Sequence, residues 1–141
     1  MSLSELLGNG LVRKADPDRT KAKDLLSMAE RDMKAAADNL GDENYDWSLA
    51  IAYNAMLTAG RSLMVFKGYY PVSEAHHLAV VQYCAAILRS GSGELVKAFN
   101  RYRIRRHDVV YGETGSVGKE EAKRAIGNAR LFVDEIRKRV G

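Results

Sequence analysis

The sequence predicts an all-α protein, an antiparallel up-and-down bundle of four long helices plus a shorter one. Three observations predict it. Apolar residues return at i, i+3 and i+4 in one segment after another. No segment alternates apolar and polar residues with the period of two that marks a half-buried strand. Only two prolines, Pro17 and Pro71, interrupt the 141 residues. A chain of this length makes one domain with a sizeable core. We divide it into an N-terminal extension, residues 1–15, and the bundle, residues 16–141.

The extension holds a weak helical turn before Gly8, Asn9 and Gly10, and is expected to fray or to fold over the bundle. The first long helix starts at Asp16-Pro17-Asp18, with proline in the first turn and acids near the positive dipole end. Ala22, Leu25, Leu26, Ala29, Met33, Ala36, Ala37 and Leu40 form its apolar stripe, and Gly41 is its stop. The second, Tyr45 to Lys67, carries two stripes. Trp47, Ala50, Ile51, Asn54, Leu57 and Met64 form one. Leu49, Ala52, Tyr53, Met56, Ala59, Gly60 and Leu63 form the other. Apolar on most sides and lined with Ala and Gly, it is expected at the centre. A shorter helix, Glu74 to Arg89, uses Leu78, Val81, Cys84, Ala85 and Leu88. Ser90 to Gly93 is the loop after it. The next helix begins near Glu94 and buries Leu95, Phe99 and Tyr102, with Arg106 on the same side. Gly112 to Gly118 is a flexible connection. The last helix, Lys119 to about Val140, shows Ala122, Ala125, Ile126, Ala129, Phe132, Val133, Ile136 and Val140 on one stripe.

Several function classes drop out. No run approaches the roughly 18–20 apolar residues of a membrane span, so no segment is expected to cross a bilayer. The N-terminus lacks the charged and apolar regions of a secretory signal. A single cysteine, Cys84, cannot form an internal disulfide, which suits a reducing cytoplasm. Cys84 reads as a small buried hydrophobe and not as a nucleophile. His76 and His77 point about 100° apart on a helix and lack further ligands at metal-site spacing, so they read as cap or loop contacts, with no metal and no cofactor. Residues 112–118 lack the strand and the Gly-Lys-Ser/Thr ending of a phosphate loop.

The charge distribution points elsewhere. Residues 97–106 contain Lys97, Arg101, Arg103, Arg105 and Arg106 and no acid; outside them the chain has 17 basic and 18 acidic side chains. The whole positive excess is therefore one patch, edged by His107, Asp108 and Tyr111. Local basic charge interleaved with aromatics is the footprint expected for phosphate, carried by RNA or a nucleotide. Arginine forks bind phosphate bidentately, and histidine gives or accepts a proton near neutrality. Such a set could orient a scissile phosphate and move protons without a metal. The competing reading is a solvated helix face, with Arg106 and Asp108 paired to neighbouring helices.

The run Ala52-Tyr53-Asn54-Ala55-Met56-Leu57-Thr58-Ala59-Gly60-Arg61-Ser62-Leu63-Met64, with Lys67-Gly68-Tyr69 after it, resembles the central helix and closing Lys-Gly-Tyr of the HEPN family (higher eukaryotes and prokaryotes nucleotide-binding). Tyr102 to Tyr111 resembles the Tyr…Arg…Asp-x-x-Tyr ending of many small prokaryotic members, and the resemblance covers about residues 18–138. It implies a helical bundle that dimerises, with two motifs around one cleft. Many members are metal-independent endoribonucleases, often toxins encoded beside a minimal nucleotidyltransferase antitoxin. Two alignments of the family's Arg-x(4–6)-His signature stand open. In one, Arg101 holds the phosphate and His107 transfers the proton, although Tyr102 follows the arginine where Asn, Asp or His is usual. In the other, the motif is Arg106-x4-Tyr111, and tyrosine is a poor acid at neutral pH.

Binding of nucleotide or RNA through Lys97, Arg103, Arg105, Arg106, Asp108 and Tyr111 is therefore the first expectation, with Arg101 and His107 as the catalytic pair should the chain cleave RNA. An endoribonuclease toxin is the second, and a purely structural helical adaptor the third. A homodimer is expected, because the helix 45–67 is apolar on more faces than one small bundle covers.

Overall fold

The computed structural model describes residues 1–72, 76–88, 92–112 and 116–141. Six helices and a two-stranded ribbon follow one another: α1 (Leu3–Gly8), β1 (Val12–Lys14), α2 (Arg19–Gly41), α3 (Tyr45–Lys67), β2 (Tyr69–Pro71), α4 (His76–Ile87), α5 (Gly93–Tyr111) and α6 (Lys119–Val140). The protein is an all-α bundle. The predicted helix ends at Glu74 and Arg89, the residues 90 and 91 of the predicted loop, and positions 113–115 of the connection after Gly112 lie outside the described residues.

α3 sits at the centre and packs against α2, α4, α5 and α6, most extensively against α2. Its Ala and Gly positions permit this. A Cβ on Gly60 would stand 2.6 Å from Val80 Cγ1 and 3.2 Å from Cys84 Sγ, so α4 reaches α3 only over a glycine. Two buried hydroxyls tie α3 to α2: Ser48 Oγ donates to the Ala36 carbonyl (2.8 Å) and Ser62 Oγ to that of Ala22 (2.6 Å). By length and composition α3 could also cross a membrane, which corrects the reading that no segment is apolar enough. Most of it is buried inside the bundle, and that burial accounts for its composition.

The ribbon was not expected. β1 pairs antiparallel with β2 in the register Val12–Pro71, Arg13–Tyr70 and Lys14–Tyr69. Strands of three residues are too short to show a period. Gly68 makes the pairing possible: it caps α3 in the left-handed region (φ 86°), and a Cβ there would sit 2.6 Å from the Ala15 carbonyl oxygen. The Lys67-Gly68-Tyr69 run is thus a helix stop that turns directly into a strand. The extension is folded over the bundle: α1 opens with a capping box between Ser2 and Glu5, and its Leu6 is fully buried.

Other corrections concern helix ends and faces. α2 begins at Arg19 with Asp18 as N-cap accepting from the Lys21 amide (2.9 Å), so Pro17 precedes the helix. Ala37 and Ala85 are exposed, and α4 buries Ala79, Val80, Tyr83 and Ala86 in addition to Val81 and Cys84. Trp47, placed on an apolar stripe, is 60 % exposed, and Asn54 faces α2, donating to Asp32 (3.0 Å). Cys84 is fully buried and burial pushes its thiol up to about 12, which removes it as a nucleophile at neutral pH.

Candidate functional site

α5 begins at Gly93 and runs unbroken to Tyr111, so its side chains fan out by helical rotation and cannot all meet in one place. Phe99, Tyr102 and Val109 face the core. Among the described residues, three clefts adjoin the basic side chains of α5, the first two sharing Ile104 and Asp108 and the last two Arg101.

The largest, about 580 Å³, is lined by Arg103, Ile104, Arg106, His107, Asp108 and Tyr111 of α5 and by His77 of α4. His107 and Tyr111, one turn apart, hold their rings 5.0 Å from each other. Arg103 is braced along the helix, its Nε donating to Asn100 Oδ1 at 3.1 Å. Among the described residues, neither Arg103 nor Arg106 forms an ion pair with a carboxylate. Both line this cleft.

Arg105 does not. Its Nε and Nη2 donate to the two carboxylate oxygens of Glu121 on α6 (2.8 and 3.1 Å), and Nη2 also reaches the Ser116 carbonyl (2.9 Å). The Glu121 hydrogen bond holds its guanidinium above the ordinary arginine range. Together with the Val117 amide, which donates to Asp46 (3.0 Å), this clamp fixes the chain entering α6. Arg101 is exposed beside the Tyr102 ring and opens onto two other clefts. One, of about 320 Å³, it shares with Tyr102, Arg105 and Glu121; the other, of about 460 Å³, with Val81, Gln82 and Lys97. Lys97 is exposed and pairs with Glu94 (3.4 Å). Within one chain, therefore, Arg103, Arg106, His107, Asp108 and Tyr111 share a cleft, and Arg101, Lys97 and Arg105 lie outside it. The unbroken helix leaves Arg101 and His107 on different faces.

The residue that the sequence reading missed is His77. Expected as a cap or loop contact, it stands across the cleft from α5, its Nδ1 2.8 Å from the buried hydroxyl of Tyr53 on α3 and its ring stacked on that tyrosine at 5.7 Å. Tyr53 in turn contacts Phe99 of α5 (5.8 Å), which contacts Phe132 of α6 (5.0 Å). A chain of rings from α6, α5 and α3 thus ends on the imidazole of α4. Burial, followed by the charges of His76, Arg106, Arg103 and Arg61, lowers the His77 pKa from its ordinary 6.5. Burial also raises the Tyr53 phenol, against the opposing pull of Arg103 and Arg106, so the hydroxyl keeps its proton. A pair of adjacent histidines in a chain with only three was the available signal. Among the described residues, no group of three His, Cys, Asp or Glu side chains is placed to hold a metal ion.

The fold is thus an all-α bundle in which α5 lines a cleft with two arginines, opposite a histidine of α4. The model of the HEPN domain family matches residues 22–139, and the chain belongs to that family. No curated protein matches it significantly. Membership supports a nucleotide- or RNA-related role in general terms.

Proposed function

We propose that the protein binds a nucleotide or RNA through the cleft between α5 and His77. The observation that carries this reading is the contrast among the arginines. Arg103 and Arg106 enter the cleft without carboxylate partners among the described residues, while Arg105, one position away from Arg106, is neutralised by Glu121. A solvated face gives no reason for that division. Fluorescence anisotropy of a labelled 12-nucleotide RNA, titrated with protein at several salt concentrations, tests it. Binding with a steep negative dependence on salt supports the reading. Binding that is absent at low salt ends it.

A metal-independent endoribonuclease is the second reading, favoured by two imidazoles, His77 and His107, in the same cleft as Arg106. In that reaction the ribose 2′-oxygen bonds to phosphorus, the P–O5′ bond breaks, one group takes the 2′-OH proton and another protonates the leaving oxygen. His107 is the proton-transfer group in this reading. Arg106 holds the phosphate within one chain; Arg101 takes part only if a second chain brings it to the cleft. RNA cleavage in EDTA that falls by about 10²–10⁴-fold in His107→Ala supports it. RNA bound but uncut by the wild type leaves a binding protein.

We also propose that the protein pairs with itself, and that a minimal nucleotidyltransferase is its partner if it acts as a toxin in the cytoplasm. The covering of α3 by its own bundle leaves little of the apolar surplus first noted on that helix. The support for self-pairing is now Trp47, Leu131 and Ile104, each more than half exposed. Light scattering should give twice the 15.6 kDa chain mass at micromolar concentration, and a value near one chain counts against pairing.

A further inference from the structure

The charges around the cleft, counted in the free and occupied states, say more about the ligand. Among the described residues that line the cleft, Arg103 and Arg106 contribute two positive charges at neutral pH and Asp108 one negative, while Arg61, which faces His77 from α3, does not line it. An internal phosphodiester carries one negative charge and already balances that sum. A terminal phosphate carries roughly 1.5 to 2 negative charges at pH 7 and does not. Among the described lining residues, the further groups that could supply the missing charge near neutrality are the two histidines. His77 is the better placed of them, because its partner accommodates both of its forms. The Tyr53 phenol donates to Nδ1 of the neutral ring and accepts from Nδ1–H of the charged one, and neither change requires the stacked rings to move. In both forms Nε2 then carries a hydrogen.

We propose that the cleft takes a terminal phosphate, on a nucleotide or at an RNA end, and that His77 takes up a proton from solvent as that dianion binds. The inference rests on the binding function proposed above. Among the described residues, the charged and titratable groups facing His77 are Tyr53 and Arg61 on α3, His76 on its own helix, and Arg103, Arg106, His107, Asp108 and Tyr111 on α5. Burial and then these cationic neighbours lower its pKa from 6.5, so the free imidazole is neutral at pH 7. A phosphate dianion reverses the local field and raises its pKa. The sign follows. Charging His77 is unfavourable in the free protein and favourable in the complex, so affinity rises as pH falls from about 7.5 towards 6. Below about 6 the phosphate itself protonates and the gain is lost.

Calorimetry of a 12-nucleotide RNA with a 5′-phosphate, with a 3′-phosphate or with neither, and of UMP, at pH 7 in two buffers of different ionisation enthalpy, tests this. At least one phosphorylated end should bind about tenfold or more tighter than the unphosphorylated RNA, with net uptake of protons on binding. His77→Gln should remove both the preference and the uptake; His76→Gln should keep them. Because His77→Gln could disturb the Tyr53 contact, the wild-type imidazole is followed directly. With His76→Gln and His107→Gln to assign the other two rings, the His77 Cε1–H resonance should titrate at higher pH in the complex than in the free protein. Equal affinity for all RNA ends, or an unmoved His77 titration, overturns the inference while leaving the cleft a nucleic-acid site. Failure of every probe to bind overturns the binding function as well.

Discussion

Arg103→Ala combined with Arg106→Ala should weaken binding of single-stranded RNA by about a hundredfold or more at moderate salt. Each guanidinium that meets a phosphate makes a charge-assisted contact, and such contacts contribute about 1.5–3 kcal/mol apiece. The same substitution should flatten the plot of log affinity against log salt by about 1.4, since each neutralised phosphate of a single strand contributes about 0.7. The controls come from the neighbouring basic residues. Lys97→Ala removes an exposed lysine already paired with Glu94, outside the cleft, and should leave the slope nearly unchanged. Arg105→Ala frees Glu121 and the Ser116 carbonyl, so it should lower thermal stability more than RNA affinity. A slope that responds equally to all of these positions would mean that the patch acts as diffuse charge and that the cleft has no special part. Anisotropy titrations between 50 and 200 mM salt decide between the two.

That contrast marks the limit of what the chain discloses on reading. The boundaries of α3, Tyr45 and Lys67, were legible because its composition changes abruptly at both ends and Gly68 supplies the left-handed stop. The stripe of α6 was legible because one face alone is apolar, and its expected residues are buried except for the partly buried Ile126. The ribbon was not, because its strands are three residues long and owe their place to Gly68 and to a segment more than fifty positions earlier. α4 misled because it is apolar all round, so that no periodicity distinguished the exposed Ala85 from the buried Ala86. In the site, the rotation of a helix already separated Arg101 from His107. What no local pattern could supply was the partner of each charge. Glu121 lies 16 residues beyond Arg105, and Tyr53 lies 24 residues before His77. Local sequence can locate a cationic patch, but only tertiary contacts show which charges are neutralised and which remain available.

Phe99→Ala should cost about 3–5 kcal/mol of stability, the range for deleting a buried aromatic side chain. Phe99 is fully buried on α5, between Tyr53 of α3 and Phe132 of α6, and close to the backbone of Gly60 where α4 crosses. Its removal opens a cavity at the meeting point of four helices. The surroundings cannot close over it cheaply, because α3 and α4 are already as near as a glycine allows. For a chain of this length the melting temperature should fall by about 10 °C or more. The effect reaches the cleft. Tyr53 loses the ring that supports it from behind, and His77, which stacks on Tyr53, loses its fixed orientation. Phe99→Leu, which refills most of the volume, should recover most of the stability but not the ring contact. Urea unfolding of the two variants measures the first effect, and the line width of the His77 Cε1–H resonance reports the second. A Phe99→Ala protein within about 1 kcal/mol of the wild type would show that the four helices repack freely there. The aromatic chain from Phe132 to His77 would then not be what holds the histidine in the cleft.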